Sequence, residues 1–325
     1  MSFFAVFPGQ GSQYVGMGKE LYENFPWIGQ LFEEASEAIS TDLKKLCFEG
    51  PASDLKQTEN TQPCLLVVSL ACFRIFQKEY GHFPQAVAGH SLGEYTALVV
   101  SGSLDLATCV RWVKARGKWM QEAVAPGEGG MAAILGLEPH LVERLCQQAS
   151  EETQKVLEPA NYNTQGQIVI AGAREAIEKA SDLVKLEPLF HAAKIVVLEV
   201  SAPFHCKLMR PAREAMQELF EKSGYRPAKP LCPYVPNRTA RLSEDPGQIL
   251  PRLVEQIDHP VLWEASISHL LESWDMALEF GPGKVLSGMI KRIASHAGKT
   301  CSLGSVQDIQ SLKASAQAIQ NLKET

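Results

Sequence analysis

Short uninterrupted apolar runs alternate along this chain with longer stretches in which apolar positions recur every three or four residues. Phe3 to Phe7 and Ala86 to Ala88 are the clearest of the runs, Met276 to Phe280 is a third broken only by Glu279, and their length and bounding Gly and Pro residues predict strands. The periodic stretches Leu31 to Ile39, Cys64 to Tyr80, Glu94 to Val100, Leu106 to Glu122, Leu208 to Lys222, Ile249 to Ile257 and Val285 to Ile293 predict helices, with a short one at Leu21 to Phe25. Strands without a polar alternation are buried on both faces. The pattern therefore predicts an α/β sheet sandwiched between helices.

The rhythm changes after Ala125-Pro126-Gly127-Glu128-Gly129-Gly130. Met131 to Leu135, Val156 to Tyr162, Gln167 to Ala171 and Lys194 to Val200 read as strands, with helices at Pro139 to Ala149 and Arg174 to Val184. That order, βαββαβ, is a ferredoxin-like unit inserted into the larger one. The expected division is 1–128 with 199–325 for the large part and 129–198 for the small. A Pro-rich extended stretch, Pro227 to Pro236, and a polar C-terminal helix complete the reading.

With 325 residues, 45% hydrophobic and 21% charged, the composition is that of a globular protein with a substantial core. A net charge of −6 and no Lys/Arg stripe argue against nucleic acid as a partner. The eight cysteines form no C-x-x-C pair and lie mostly in apolar runs, as buried thiols do in a reduced cytoplasm; neither a disulfide framework nor a metal site is expected. The N-terminus lacks a basic region before its apolar run and reads as a strand, and no apolar window is long enough for a membrane span.

Chemistry is suggested first by Gly89-His90-Ser91-Leu92-Gly93, between a strand and a helix. A nucleophile elbow has this form, since a sharp strand-to-helix turn with glycines two residues either side presents the serine hydroxyl to a base. An ordinary glycine-bounded turn accounts for the pattern equally well. Of eight histidines, His205 is the candidate base, because it follows a strand in a loop where open α/β sheets place their sites; a helix-entry histidine is the simpler alternative. His82, His140, His269 and His296 read as solvated. The loop Pro8 to Gln13 could suggest dinucleotide binding, but Tyr14 stands where the third glycine of G-x-G-x-x-G belongs, and no cofactor is expected. By its surroundings alone Arg116 is a surface arginine in the basic segment Arg111 to Lys118.

The chain resembles the malonyl-coenzyme A:acyl carrier protein transacylases and the acyltransferase domains of polyketide synthases. The resemblance rests on Pro8-Gly9-Gln10-Gly11-Ser12-Gln13, Gly89-His90-Ser91-Leu92-Gly93-Glu94-Tyr95, Arg116, Asn161-Tyr162-Asn163, Ser201-Ala202-Pro203-Phe204-His205, Gln256 before His259-Pro260-Val261-Leu262-Trp263, and Glu279-Phe280-Gly281-Pro282-Gly283. It implies an α/β-hydrolase-like large subdomain with the ferredoxin-like insertion. It implies Ser91 as nucleophile, His205 as base, backbone N–H groups of Gln10 and Leu92 as the oxyanion hole, and the Gln256 carbonyl as the group that orients the histidine. Arg116 would take the malonyl carboxylate, with Arg111, Lys114 and Lys118 left as solvated face. Phe204 would disfavour an α-methyl group, Asn161 and Asn163 would tie the small subdomain to the pocket, and His90 and Gln13 would support the elbow and opening loop.

The implied partners are malonyl-coenzyme A and acyl carrier protein, met by a monomeric cytoplasmic enzyme of fatty-acid biosynthesis. A discrete acyltransferase or acyl hydrolase of a polyketide assembly line is the alternative within the family. A serine esterase, or an idle carrier-binding module, is the alternative outside it.

Overall fold

The computed structural model describes residues 2–200 and 202–321. Among the described residues nine strands form two sheets: β1 (Phe4–Phe7), β2 (Ala86–Gly89), β3 (Gly129–Leu135), β4 (Leu157–Thr164), β5 (Gln167–Ala173), β6 (Lys194–Val197), β7 (Tyr234–Val235), β8 (Met276–Phe280) and β9 (Ser302–Val306). The larger sheet is parallel, in the order β7-β2-β1-β8-β9, with Phe7 opposite Gly89 and Phe280 opposite Val306.

The period of two along a strand sorts its side chains between two cores. Phe3, Ala5 and Phe7 face the helices Thr58–Tyr80, Leu92–Val100 and Leu106–Glu122. Phe4 and Val6 face the other way, onto Trp263–Leu270 and Val285–His296. Phe7, Phe73 and Phe280 meet at ring separations of 5.4–6.3 Å in the first core. The one charged residue in these buried strands, Glu279, accepts the N–H groups of Leu286 and Ser287 and the Ser287 hydroxyl. It thereby occupies the positive end of the Val285–His296 helix.

The smaller sheet is antiparallel, in the order β4-β5-β3-β6, and the helices Pro139–Thr153 and Arg174–Leu186 cover one of its faces. Met131, Ala133, Val169 and Ala171 on the opposite face join the core of the larger unit. The smaller sheet also meets the larger unit through backbone, at the segment ahead of the Trp263–Leu270 helix: the Val261 N–H donates to the Ala160 carbonyl at 2.9 Å, and the Tyr162 N–H to the Val261 carbonyl at 3.0 Å.

Several elements depart from the sequence reading. The strand expected to run to Val200 ends at Val197, although the Leu198 N–H still reaches the Met131 carbonyl. Strand β9 and the Trp263–Leu270 helix were not in that reading, and the long helix begins at Thr58, ahead of Pro63. Lys114 is not solvated; its ammonium donates to the Ile39 carbonyl and the Thr41 hydroxyl. His82 and His269 are half-buried, and His269 contacts Arg241 and Glu272. Ser201, and the last four residues of the expected polar helix, lie outside the described residues.

Candidate active site

Ser91 sits at the end of β2, where the chain turns into the Leu92–Val100 helix. The turn is possible because neither flanking residue carries a Cβ. At Gly89 such an atom would lie 1.9 Å from the Gly93 carbonyl carbon, and at Gly93 it would lie 2.0 Å from the Phe7 carbonyl oxygen. Ser91 itself holds φ 51°, ψ −102°, a conformation L-residues rarely adopt.

The Ser91 Oγ lies 2.7 Å from His205 Nε2, and His205 Nδ1 lies 2.7 Å from the Gln256 carbonyl. A carbonyl can only accept, so Nδ1 carries the proton and Nε2 is left to accept from the serine hydroxyl. Burial, reinforced by the Arg116 charge, pushes the His205 pKa down to about 3 against the opposing Gln256 carbonyl. The ring is therefore a neutral acceptor at any ordinary pH.

Arg116 is 1% exposed, against what its basic neighbours alone suggest and in keeping with the pocket role that the resemblance implies. Its Nη1 donates to Gln62 Oε1 at 2.8 Å, and its Nη2 to Gln256 Oε1 at 2.8 Å and to Ser91 Oγ at 3.0 Å. Nε has no partner among the described residues. A buried guanidinium with donor capacity to spare, touching the candidate nucleophile, suits a small substrate anion.

The other expected site residues converge on the same place. Gln10, Leu92, Arg116, Asn161, Asn163 and Phe204 all line a cavity of about 620 Å³ with Ser91 and His205. Leu92 is the first residue of its helix, so its N–H has no acceptor within that helix. The Gln10 side chain reaches Thr58 Oγ1 at 3.4 Å, and Gln13 Oε1 accepts the Gly11 N–H, which fixes the opening loop. His90 donates through Nε2 to Asn163 Oδ1 at 2.8 Å, and its ring lies against Trp263. Burial lowers its pKa, opposed by that hydrogen bond. Asn161 lies in the stretch of β4 bridged to Val261.

Three members of the site escaped the sequence reading: Gln62, Glu94 and Asn237. Glu94 is 1% exposed and its Oε2 accepts from the Gln256 amide at 2.7 Å and the Asn237 N–H at 3.0 Å. Burial pushes its pKa up to about 7, opposed by those two bonds and by the Arg116 charge. A lone acid in an otherwise apolar helix was the available signal. Gln62 and Asn237 gave none.

A family model described as an acyl transferase domain matches residues 4–283. The malonyl CoA-acyl carrier protein transacylase of Bacillus subtilis (strain 168) is 43% identical over 320 residues, covering 98% of this chain and 96% of the relative. The crystal structure of the acyl-carrier-protein S-malonyltransferase of Burkholderia pseudomallei 1710b is similar with a TM-score of 0.90 at 40% identity, covering 98% of this chain and 100% of that one. PlMCAT, a malonyl-transacylase solved in complex with the type II polyketide synthase acyl-carrier protein AntF, is similar with a TM-score of 0.91 at 39% identity; 98% of this chain and 100% of that one are covered.

Proposed function

This chain belongs to the acyl transferase family, and from that premise we propose that it moves malonyl from malonyl-coenzyme A to the phosphopantetheine thiol of acyl carrier protein by way of a Ser91 acyl-enzyme. The observation that carries the reading is the buried Arg116 guanidinium on the serine hydroxyl, inside a cavity that also holds His205.

Ser91 Oγ attacks the thioester carbonyl while its proton passes to His205 Nε2. The N–H groups of Leu92 and Gln10 receive the negative charge on the carbonyl oxygen, and Arg116 holds the malonyl carboxylate. Collapse expels coenzyme A as thiol, with the proton returned by His205. The carrier's thiol then enters, gives its proton to His205 and takes the acyl group, and His205 returns that proton to the departing Ser91 oxygen. A neutral carbonyl on Nδ1 stabilises imidazolium less than a carboxylate would. Thiolates leave readily, so the Ser91–His205 pair with the Gln256 carbonyl suffices for thioesters.

We divide the chain functionally at 128/129 and 198/199, supported by the start of β3 and the end of β6. The cytoplasm is the proposed location, supported by cysteines that all remain thiols. Supply of fatty-acid biosynthesis is the primary role, and the similarity to a transacylase solved with a polyketide carrier favours a polyketide assembly line as the second.

Intact-mass measurement after mixing with malonyl-coenzyme A tests the reading. The wild-type protein gains one malonyl group, mapped to the peptide containing Ser91, and passes it to added carrier protein. Ser91→Ala gains none. A malonyl adduct on Ser12 or on a cysteine would sink the assignment.

A further inference from the structure

We propose that Asn237 is a positioning residue for this acyl transfer, its side-chain amide locking the Ser91 backbone in the conformation that presents the hydroxyl; the inference rests on Ser91 being the nucleophile. The positive φ of Ser91 is strained for a residue with a Cβ and persists only where the surroundings hold it. On one side of β2 the ladder with β1 supplies that support up to the His90 N–H, which donates to the Phe7 carbonyl. On the other side the partner is β7, which pairs only Tyr234 with Val87 and Val235 with Ala88.

Beyond Val235 comes Pro236, which has no N–H to offer a ladder. Asn237 takes over with its side chain. Its Nδ2 donates to the Gly89 carbonyl at 2.7 Å, and its Oδ1 accepts from the Ser91 N–H at 2.7 Å. The carboxamide thus imitates one more peptide unit of the missing strand, bridging Gly89 and Ser91 on either side of His90.

The clamp is itself held. Asn237 is 1% exposed, its N–H donates to Glu94 Oε2, its carbonyl accepts from the Leu262 N–H, and its Oδ1 lies 3.3 Å from Gln256 Nε2. Gln256, itself held by Glu94, is the group that bonds both Arg116 and His205. The residue type follows from the two partners: one donor and one acceptor are needed on a short stem. Aspartate has the acceptor and lacks the donor, and alanine lacks both.

The test is the single-turnover rate of Ser91 acylation by malonyl-coenzyme A in wild type, Asn237→Ala and Asn237→Asp, with thermal unfolding in parallel. Misplacing a nucleophile by an ångström costs on the order of 10²-fold, so Asn237→Ala should acylate about 10²-fold more slowly. The apparent malonyl-coenzyme A affinity should stay within about twofold, because Arg116 and the cavity wall are untouched.

Asn237→Asp adds a readout that a merely structural role would not move. The new carboxyl would face the Glu94 carboxyl, the Gln256 amide, the Gly89 carbonyl and the Ser91 N–H, with Arg116 beyond Gln256. Ionised, it repels the Gly89 carbonyl; protonated, it donates to it as the amide does. Its rate relative to wild type should therefore rise at least about tenfold as pH falls from 8 to 5.5. The inference is overturned if Asn237→Ala acylates at the wild-type rate, if its loss merely follows the unfolded fraction, or if the Asp-to-wild-type ratio is flat with pH. A wild-type protein that takes no malonyl would instead overturn the proposed function and this inference with it.

Discussion

Arg116 shows how a single side chain can read as surface in the sequence and be buried in the fold. Its neighbours Arg111 and Lys118 are exposed, and the helix stripe that contains them is basic. What buries Arg116 lies 54 residues away in Gln62 and 140 residues away in Gln256, distances over which spacing carries no signal. Ser91 was legible because its glycines are a local requirement; Asn237 was not, because it serves two backbone groups that any side chain could have neighboured. Removing one partner of a buried charge pair costs about 3–5 kcal/mol, or roughly two to four decades at 1.4 kcal/mol each. Arg116→Ala should therefore lower the catalytic efficiency of malonyl transfer by that factor. Acetyl-coenzyme A has no carboxylate to strand, so its transfer should fall much less, and the malonyl-to-acetyl ratio measured with one carrier protein should collapse. Equal falls for both substrates would make Arg116 a structural residue.

Among the elements, the elbow is the most tightly constrained. Gly93 is the second residue of the Leu92–Val100 helix, and within helices alanine is ordinarily favoured by about 0.8–1.0 kcal/mol over glycine. Here a Cβ would strike the carbonyl of Phe7, and β1 is pinned between β2 and β8 and cannot yield. Gly93→Ala should therefore reverse the usual preference and destabilise by about 1–3 kcal/mol, as overpacking does. A denaturant midpoint equal to or above wild type would show that the helix can slide. The same contrast explains which elements the sequence disclosed. Strands β1, β2 and β8 announce themselves as apolar runs because both faces are covered. Strand β9 is an edge strand carrying Ser302, Gly304 and Ser305; it pairs with β8 along all five residues through backbone groups that a hydropathy pattern does not register. The Trp263–Leu270 helix spans barely two turns, too few to establish a period.

At the scale of the whole molecule, the site exists because two sheets with separate cores meet. Met131 and Val169 of the smaller sheet line the same cavity as Ser91, and Lys207, two residues past His205, bonds Glu158 of β4 through its backbone N–H and its ammonium. The order of elements disclosed both units, but the polar network beneath the cavity joins residues of the larger unit as far apart as Ser91 and Gln256, so it had to be seen. That network buries Glu94 against Asn237 and Gln256, and the burial makes the stability of the entire fold depend on pH. With its pKa raised from the ordinary 4.5 to about 7, Glu94 keeps a proton in the folded protein that the unfolded chain releases. Below pH 4.5 both states are protonated and nothing is lost. Between 4.5 and 7 the folded state binds more protons, so stability falls as pH rises, by about 3 kcal/mol in all at 1.36 kcal/mol per unit. His205 acts in the opposite sense, since its depressed pKa makes stability rise with pH between about 3 and 6.5. Glu94→Gln isolates the first effect: the amide oxygen can still accept from Asn237 and Gln256, while the titration is gone and His205 is common to both proteins. The stability of the variant minus that of wild type, from chemical denaturation, should therefore become more favourable by up to about 3 kcal/mol between pH 5 and pH 8. A difference that is constant across that window, or that shrinks as pH rises, would mean that Glu94 is ionised in the folded protein and acts there as a standing countercharge to Arg116.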